Sequence, residues 1–471
     1  MNQNPDDPIR LPTESDNSGV RTGLMLLLAL ALSGALYLWL PFDVTVKKGM
    51  CLLLFIGVLW LTEALHLAVT ALLVPVSALL MGFPGLTTTK AFAPFADPIV
   101  FLFFGGFALA TALRVQQLDR KMASALLALS RGHLGRAVGL LFAATAVLSM
   151  GISNTATVAM MLPLTLGILS PLDAGRERST YVFVLLGVAY AASIGGLGTL
   201  VGSPPNAIAA RAAGIDFAGW LWIGLPLVLV LMPLMALALW LVLRPHLNRT
   251  VQLEMGDVPW NGPRRLTLVV FVLTALGWTL GGEPLKRLGI HSPDTFFAVA
   301  AAIAVMALRL ASWRQVAEHT DWGVLLLFGG GLAVSEILGT SGAALVLGDQ
   351  VAHALHGASP WVILLAVTAF MVLLSEFASN TAAAALLIPV FAAIAGRMGL
   401  PAEVLIVLVA LAASCGFALP VATPPNALVF GSRHVPQRAM LRAGIALDAV
   451  CIGVLTVWGL LALGRAATPG G

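Results

Sequence analysis

The chain has 471 residues, of which 59% are hydrophobic and only 10% are charged, and its mean hydropathy is +0.95. Soluble domains carry about 25% charged residues, so this composition excludes a soluble globular protein and predicts a polytopic membrane protein. The net charge of +4 is dispersed among loops without a basic stripe, which argues against nucleic-acid binding.

The first predicted segment is a polar tail over residues 1–22, rich in Asp, Asn, Ser and Pro. A long apolar run follows it and lacks a small-residue cleavage site. We therefore expect a disordered cytoplasmic tail and not a signal peptide.

Apolar runs then recur along the whole chain and approach or reach the roughly 17–25 residues that a spanning helix needs. They lack strict alternation, and backbone groups must be paired inside hydrocarbon, so helices are required and a barrel is disfavoured. The sequence predicts an all-α polytopic membrane protein with about eleven transmembrane helices plus irregular segments. The runs lie near residues 24–41, 49–63, 66–82, 98–113, 218–243, 266–281, 296–310, 323–337, 361–375, 404–420 and 443–463.

Polar S-N-T tripeptides lie between apolar segments at Ser153 and again at Ser379. Each is preceded by a short apolar segment and followed by a helix-forming run, and the two segments together are too long for one span. A re-entrant helical hairpin with S-N-T at its tip explains this pattern. Ser and Asn are preferred N-cap residues, so the free N–H groups of the following helix make an anion site. A single S-N-T would usually be a kink or a helix–helix contact, whereas its duplication favours the anion site.

Three landmarks recur in the same order at a spacing of about 220 residues. They are F-G-G at Phe104 and Phe328, S-N-T at Ser153 and Ser379, and a Pro-Pro-Asn turn at 202–207 and 422–427. This indicates an internal duplication. We predict a first repeat over 23–243, a cytoplasmic linker over 244–265 and a second repeat over 266–464.

Loop charge predicts that the two repeats have opposite orientations. The segment 114–136 carries five Arg or Lys residues and is assigned to the cytoplasm, whereas its counterpart 338–360 has none. Lys47, Lys48, Lys286 and Arg287 are exceptions to the pattern. Inverted repeats of this kind place a substrate site at the midplane between them.

The Pro-Pro-Asn turns predict a second pair of helix N-termini. Ser203 and Thr423 stand at N-cap positions, with Pro204 and Pro424 at the first helical position, where a missing N–H costs nothing. The preceding segments, 195–202 and 415–422, are poor in helix formers, so each should belong to a span interrupted near its middle. Free carbonyls at such a break suit a hard cation, and free N–H groups suit an anion.

Charge balance decides the kind of ligand. Four helix N-termini supply at most about +2 in total, and no Lys or Arg occurs in 145–170, 191–210, 371–396 or 405–430. Part of the negative charge of a dicarboxylate would stay uncompensated at low dielectric, which is costly. Bound cations should supply the missing positive charge, so that binding of the substrate depends on binding of the cations. We expect sodium at Ser149, Ser153, Asn154 and Gly202, and at Ser375, Ala378, Asn380 and Ala422.

These motifs, together with the S-E-F-A-S-N-T approach to the second tip, resemble those of the divalent anion:sodium symporter family of di- and tricarboxylate transporters. The resemblance runs from T-E-A-L at Thr62–Leu65 to the final helix. It implies a homodimer, an elevator-type mechanism, sodium at both tips with Gly202 and Ala422, and substrate carboxylates held by the S-N-T motifs. The expected substrate-binding residues are Ser153, Asn154, Thr155, Ser203, Pro204, Ser379, Asn380, Thr381, Thr423 and Pro424. Ser375 replaces the Thr expected in many relatives and keeps the hydroxyl.

The predicted function is sodium-coupled import of C4-dicarboxylates across the inner (plasma) membrane. A sodium-independent dicarboxylate exchanger and a citrate or sulfate symporter remain alternatives within transport, and an anion channel is the alternative from another class. No Ser–His–Asp or H-E-x-x-H arrangement occurs, so we predict no enzymatic activity and no catalytic residue.

Overall fold

The computed structural model describes residues 16–250, 259–354 and 357–466, and over these residues the chain folds into helices without a named strand. This confirms the all-α prediction. Of the predicted tail 1–22, residues 1–15 lie outside the described residues, and α1 already begins at Asp16. Residues 251–258 of the predicted linker also lie outside them.

The described residues of the first half form eleven α-helices, with a short 3-10 helix at Ala93–Ala96 before α5. They are α1 (Asp16–Trp39), α2 (Val44–Thr62), α3 (Leu67–Met81), α4 (Thr88–Phe92), α5 (Pro98–Val115), α6 (Leu118–Ala128), α7 (Leu134–Ser149), α8 (Asn154–Leu169), α9 (Arg178–Gly196), α10 (Pro204–Ala213) and α11 (Phe217–Leu243).

The second half also contains eleven. They are α12 (Gly262–Leu280), α13 (Gly282–Arg287), α14 (Pro293–Ala307), α15 (Trp313–His319), α16 (Trp322–Thr340), α17 (Ala343–Ala354), α18 (Pro360–Ser375), α19 (Asn380–Arg397), α20 (Ala402–Ala413), α21 (Pro424–Gly431) and α22 (Gln437–Ala466). Nine helices in the described part of the chain are long and apolar enough to cross a membrane by themselves.

The S-N-T motifs lie at the tips of helical hairpins, as their spacing predicted. Helices α7 and α18 end at Ser149 and Ser375, and α8 and α19 begin at Asn154 and Asn380 after four-residue turns. The apolar run 361–375 is therefore the first arm of a hairpin and not a span. The interrupted pair α9–α10, which none of the predicted runs covers, restores the expected number, because the run 404–420 already stands for the other broken span, α20–α21.

The two halves contact each other through two equivalent pairs of helices. Helix α5 of the first half packs on α14, and α16 of the second half packs on α3. The F-G-G glycines are these contact points: a Cβ at Gly105 would overlap the backbone of Ala298, and one at Gly330 would lie 2.6 Å from the Cβ of Ala71. Such reciprocal packing relates the two halves by an approximate two-fold arrangement.

The helices form two groups. Helices α7–α11 pack with α18–α22, and we call this group the motif bundle because it holds both hairpins and both interrupted spans. Helices α1–α6 and α12–α17 form the flanking bundle. Helices α9 and α20, which end at the two interruptions, are buried almost throughout and form the centre of the motif bundle.

Candidate substrate and cation site

Each hairpin tip is built by its serine and asparagine. The hydroxyl of Ser153 accepts the N–H of Ala156 at 3.3 Å, and that of Ser379 accepts the N–H of Ala382 at 3.4 Å. Both serines are therefore N-caps of the second hairpin arm. Ser153 and Thr155 are exposed, whereas Ser379 and Thr381 are half-buried.

The asparagine of each tip is tied back to the first hairpin arm. Ser149 Oγ donates to Asn154 Oδ1 at 2.5 Å, and Ser375 Oγ lies 2.8 Å from Asn380 Oδ1. Ser375 Oγ is also 2.8 Å from the carbonyl of Ala413, which ends α20. Both predicted cation sites thus have a hydroxyl and an amide oxygen in contact.

In the first half the interrupted span meets the hairpin tip at two glycines. A Cβ at Gly196 would lie 2.6 Å from Asn154 Oδ1 and 2.9 Å from the carbonyl oxygen of Gly202. A Cβ at Gly202 would lie 3.0 Å from the carbonyl oxygen of Ser149. Of the four predicted sodium ligands, Ser149, Asn154 and Gly202 therefore converge around Gly196, which has no side chain to keep them apart.

The second half repeats this arrangement in part. A Cβ at Gly416 would lie 2.7 Å from Ser375 Oγ, so the interrupted span approaches the tip as closely as in the first half. Ala378 lies buried on the tip, and Ala422 lies buried at the end of the segment after α20. The described hydrogen bonds do not join these two alanines to Asn380.

The two Pro-Pro-Asn helices begin differently. Pro204 and Pro424 occupy the first positions of α10 and α21, as predicted. Thr423 Oγ1 accepts the N–H of Asn426 at 3.3 Å and caps its helix. Ser203 occupies the N-cap position without a capping bond, and its hydroxyl instead lies 3.1 Å from Ser414 Oγ in the other half. The two interrupted spans are thereby linked across the two-fold arrangement.

Helix N-termini of opposite halves are paired. Helix α21 packs on α8, and α10 packs on α19. Thr155 of α8 and Pro424 of α21 border a common cavity of about 560 Å³, and residues further along the same helices line its remaining wall together with Ser432. The cavity is lined by Thr155, Leu162, Leu166, Pro424, Ala427, Leu428, Gly431 and Ser432, none of which is basic.

Acidic groups lie behind the second tip. The carboxylate of Glu376 accepts the N–H groups of Ala418 and Leu419 at 2.9 and 2.8 Å, and Asp448 accepts that of Phe417 at 3.3 Å. These bonds hold the segment between α20 and α21. Sequence reasoning missed Asp448, although an acid within the apolar run 443–463 is a signal of function in itself.

Comparison with protein families gives one match that covers most of the chain. A family model described as CitMHS, citrate transporter, matches residues 57–395 and 356–467. The matched residues include both hairpins and both interrupted spans.

Two relatives are similar over most of their length. An "Uncharacterized transporter" of Haemophilus influenzae is 47% identical over 450 residues, which cover 94% of this chain and 97% of the relative. The "Sodium-dependent dicarboxylate transporter SdcS" of Staphylococcus saprophyticus is 33% identical over 439 residues, covering 86% of this chain and 83% of the relative.

A solved structure shares the fold. The crystal structure of the Alcanivorax borkumensis YdaH transporter, described as having an unusual topology, matches with a TM-score of 0.58 and 15% sequence identity. The match covers 94% of this chain and 98% of that one.

Proposed function

Since this chain belongs to the citrate transporter family, we propose that it is a secondary active transporter that imports C4-dicarboxylates such as succinate, fumarate or malate together with sodium. The observation that carries the proposal is the meeting of two helix N-termini, those of α8 and α21, at one cavity without a basic side chain. The relative from Staphylococcus saprophyticus, which is named a sodium-dependent dicarboxylate transporter, supports the assignment of dicarboxylate as substrate and sodium as coupling ion.

The substrate carboxylates are held by backbone and hydroxyl donors in this proposal. Each helix N-terminus contributes roughly +0.5 charge, so α8 and α21 together offset about half of a doubly negative substrate. The donors are the S-N-T side chains together with Ser203, Thr423 and the first-turn N–H groups after Pro204 and Pro424.

Sodium supplies the remaining positive charge. In the first half, Ser149, Ser153, Asn154 and the carbonyl of Gly202 provide oxygen ligands, and in the second half Ser375, Ala378, Asn380 and Ala422 do so. Oxygen donors suit a hard cation. A dicarboxylate then binds well only beside bound sodium, and this dependence couples the two fluxes.

In this proposal, the substrate reaches the site from the cytoplasm. Helices α8 and α21 line the cavity and lead into loops that carry Arg176 and Arg433, with Arg178 and Arg438 at the starts of the next helices. The positive-inside rule assigns these four arginines to the cytoplasm. On the opposite side, α19 packs against α2, α16 and α17 of the flanking bundle. This asymmetry fits an elevator in which the motif bundle moves against a flanking bundle that forms the homodimer contact.

Uptake into liposomes tests the proposal. Purified protein should accumulate radiolabelled succinate when an inward sodium gradient is imposed, and should fail to do so with choline in place of sodium. Absence of sodium-driven accumulation would contradict symport.

The same liposomes separate the alternatives. Uptake that requires preloaded dicarboxylate but not sodium identifies an exchanger, and sodium-driven uptake of citrate or sulfate in preference to succinate identifies a different substrate. Currents in planar bilayers that are larger than the turnover rate of a carrier could produce identify an anion channel.

A further inference from the structure

The third residue of each Pro-Pro-Asn turn makes the same pair of contacts in both halves. Asn206 Nδ2 donates to the carbonyls of Gly196 and Thr199 at 2.9 and 2.8 Å. Asn426 Nδ2 donates to the carbonyls of Gly416 and Leu419 at 3.2 and 3.0 Å. Both asparagines reach back ten and seven residues along the chain. The identical geometry in two halves of different local sequence indicates a shared requirement.

The shared requirement is a hydrogen-bond donor for the backbone carbonyls at each interruption. The last carbonyls of a helix have no partner within it, and Gly196 ends α9 in the centre of the motif bundle. Without Asn206, this oxygen and that of Thr199 lose their donor in a buried part of the bundle. Asn206 therefore joins the two halves of the interrupted span across the gap between α9 and α10.

These carbonyls border the predicted cation sites. Gly196 lies between Asn154 Oδ1 and the carbonyl of Gly202, and Gly416 lies against Ser375 Oγ. A shift of either glycine therefore changes the spacing of the oxygen atoms that we assign to sodium. The asparagine fixes that spacing by holding the glycine carbonyl in place.

The burial of the two amides agrees with this role. Asn206 and Asn426 are both 0% exposed, and the Oδ1 atom of each has no hydrogen-bond partner among the described residues. A buried acceptor without a donor costs about 1–3 kcal/mol. The unpartnered oxygen is present in both halves. The two side chains are therefore positioned so that their amide N–H groups bond to the interrupted span, and not so that every buried polar atom has a partner.

We propose that Asn206 and Asn426 are positioning residues, each of which sets the sodium affinity of the cation site in its own half. The inference rests on the proposed sodium coupling. It assigns the two residues no contact with sodium or substrate, because they act through the backbone at Gly196 and Gly416.

The test measures sodium binding separately from substrate binding. Asn206→Ala and Asn426→Ala should each raise the sodium concentration for half-maximal succinate uptake about tenfold, the effect of losing roughly 1.4 kcal/mol. The KM for succinate at saturating sodium should change less than threefold. The sodium dependence of the melting temperature, measured without substrate, should shift by the same factor.

Matched variants control for folding. Thr165→Val removes a buried hydroxyl from α8 that bonds only to the Met161 carbonyl, and should leave sodium dependence unchanged. Asn206→Leu and Asn426→Leu keep the branched shape of the side chain and remove the donors, so they should reproduce the alanine effects.

The outcomes separate this inference from the proposed function. If wild-type protein shows no sodium dependence, the proposed function and the inference both fail. If wild-type protein is sodium-dependent and the asparagine variants keep its half-saturation, the inference alone is overturned. An equal loss of stability in sodium and in choline would assign a purely structural role to the two asparagines and would overturn the inference as well. Failure of all four asparagine variants to fold would have the same meaning.

Discussion

The asparagines of the two hairpin tips offer the sharpest test at the scale of single residues. Each presents its amide oxygen to a serine of the first arm, Ser149 for Asn154 and Ser375 for Asn380. We predict that Asn154→Ala and Asn380→Ala each abolish sodium-dependent succinate uptake while expression and oligomeric state are retained. Uptake and size-exclusion chromatography check this, and unchanged uptake in both variants would remove the site assignment.

A glycine provides a second prediction that depends on shape alone. Any Cβ at Gly196 enters the space between Asn154 Oδ1 and the Gly202 carbonyl, closer than van der Waals contact allows. Gly196→Ala should therefore lower sodium-dependent uptake at least tenfold. Gly167→Ala on α8 is the matched control, because its Cβ meets nothing within 4 Å. Equal activity in the two variants would argue against close packing at the first cation site.

At the scale of elements, local sequence signals explain why the hairpins could be predicted. Ser, Asn and Pro at fixed positions favour helix starts, and both hairpins and both interruptions occur where those residues stand. The partners of Ser203 and Asp448 could not be predicted in this way. Ser414 and Phe417 are distant in the chain, and only the tertiary packing of the motif bundle brings them close.

The interrupted span of the second half depends on a carboxylate. Glu376 uses one oxygen for Ala418 N–H and the other for Leu419 N–H. In Glu376→Gln one of these N–H groups faces an amide donor and loses its acceptor, which costs about 1–3 kcal/mol. We therefore expect a lower melting temperature and weaker sodium-dependent uptake.

Glu336→Gln is the comparison for this variant, because Glu336 is another acid of a membrane helix but is exposed. It should behave as wild type in both measurements. A Glu376→Gln protein as stable and active as Glu336→Gln would show that the carboxylate is dispensable for the interrupted span.

At the scale of the whole molecule, the two halves match in sequence motifs but differ in their surroundings. The second hairpin packs against the flanking bundle through α19, while the first hairpin borders an open cavity. Val421 is 79% exposed, whereas its counterpart Val201 packs on Gly106 of α5. Equivalent residues of the two halves thus have different neighbours, and this asymmetry is what the proposed alternating access requires.

The contact between α17 and α19 tests whether the bundles move relative to each other. Arg397 Nε of α19 lies 3.0 Å from Asp349 Oδ1 of α17, so cysteines at these positions lie within reach of a short bismaleimide. In an elevator the two helices must separate during each cycle. We expect cross-linked Asp349→Cys/Arg397→Cys protein to lose uptake, whereas each single variant treated with the same reagent stays active. Arg314→Cys/Glu318→Cys, a pair within α15, should be cross-linked without loss. Full uptake by the cross-linked α17–α19 pair would mean that these helices move as one body.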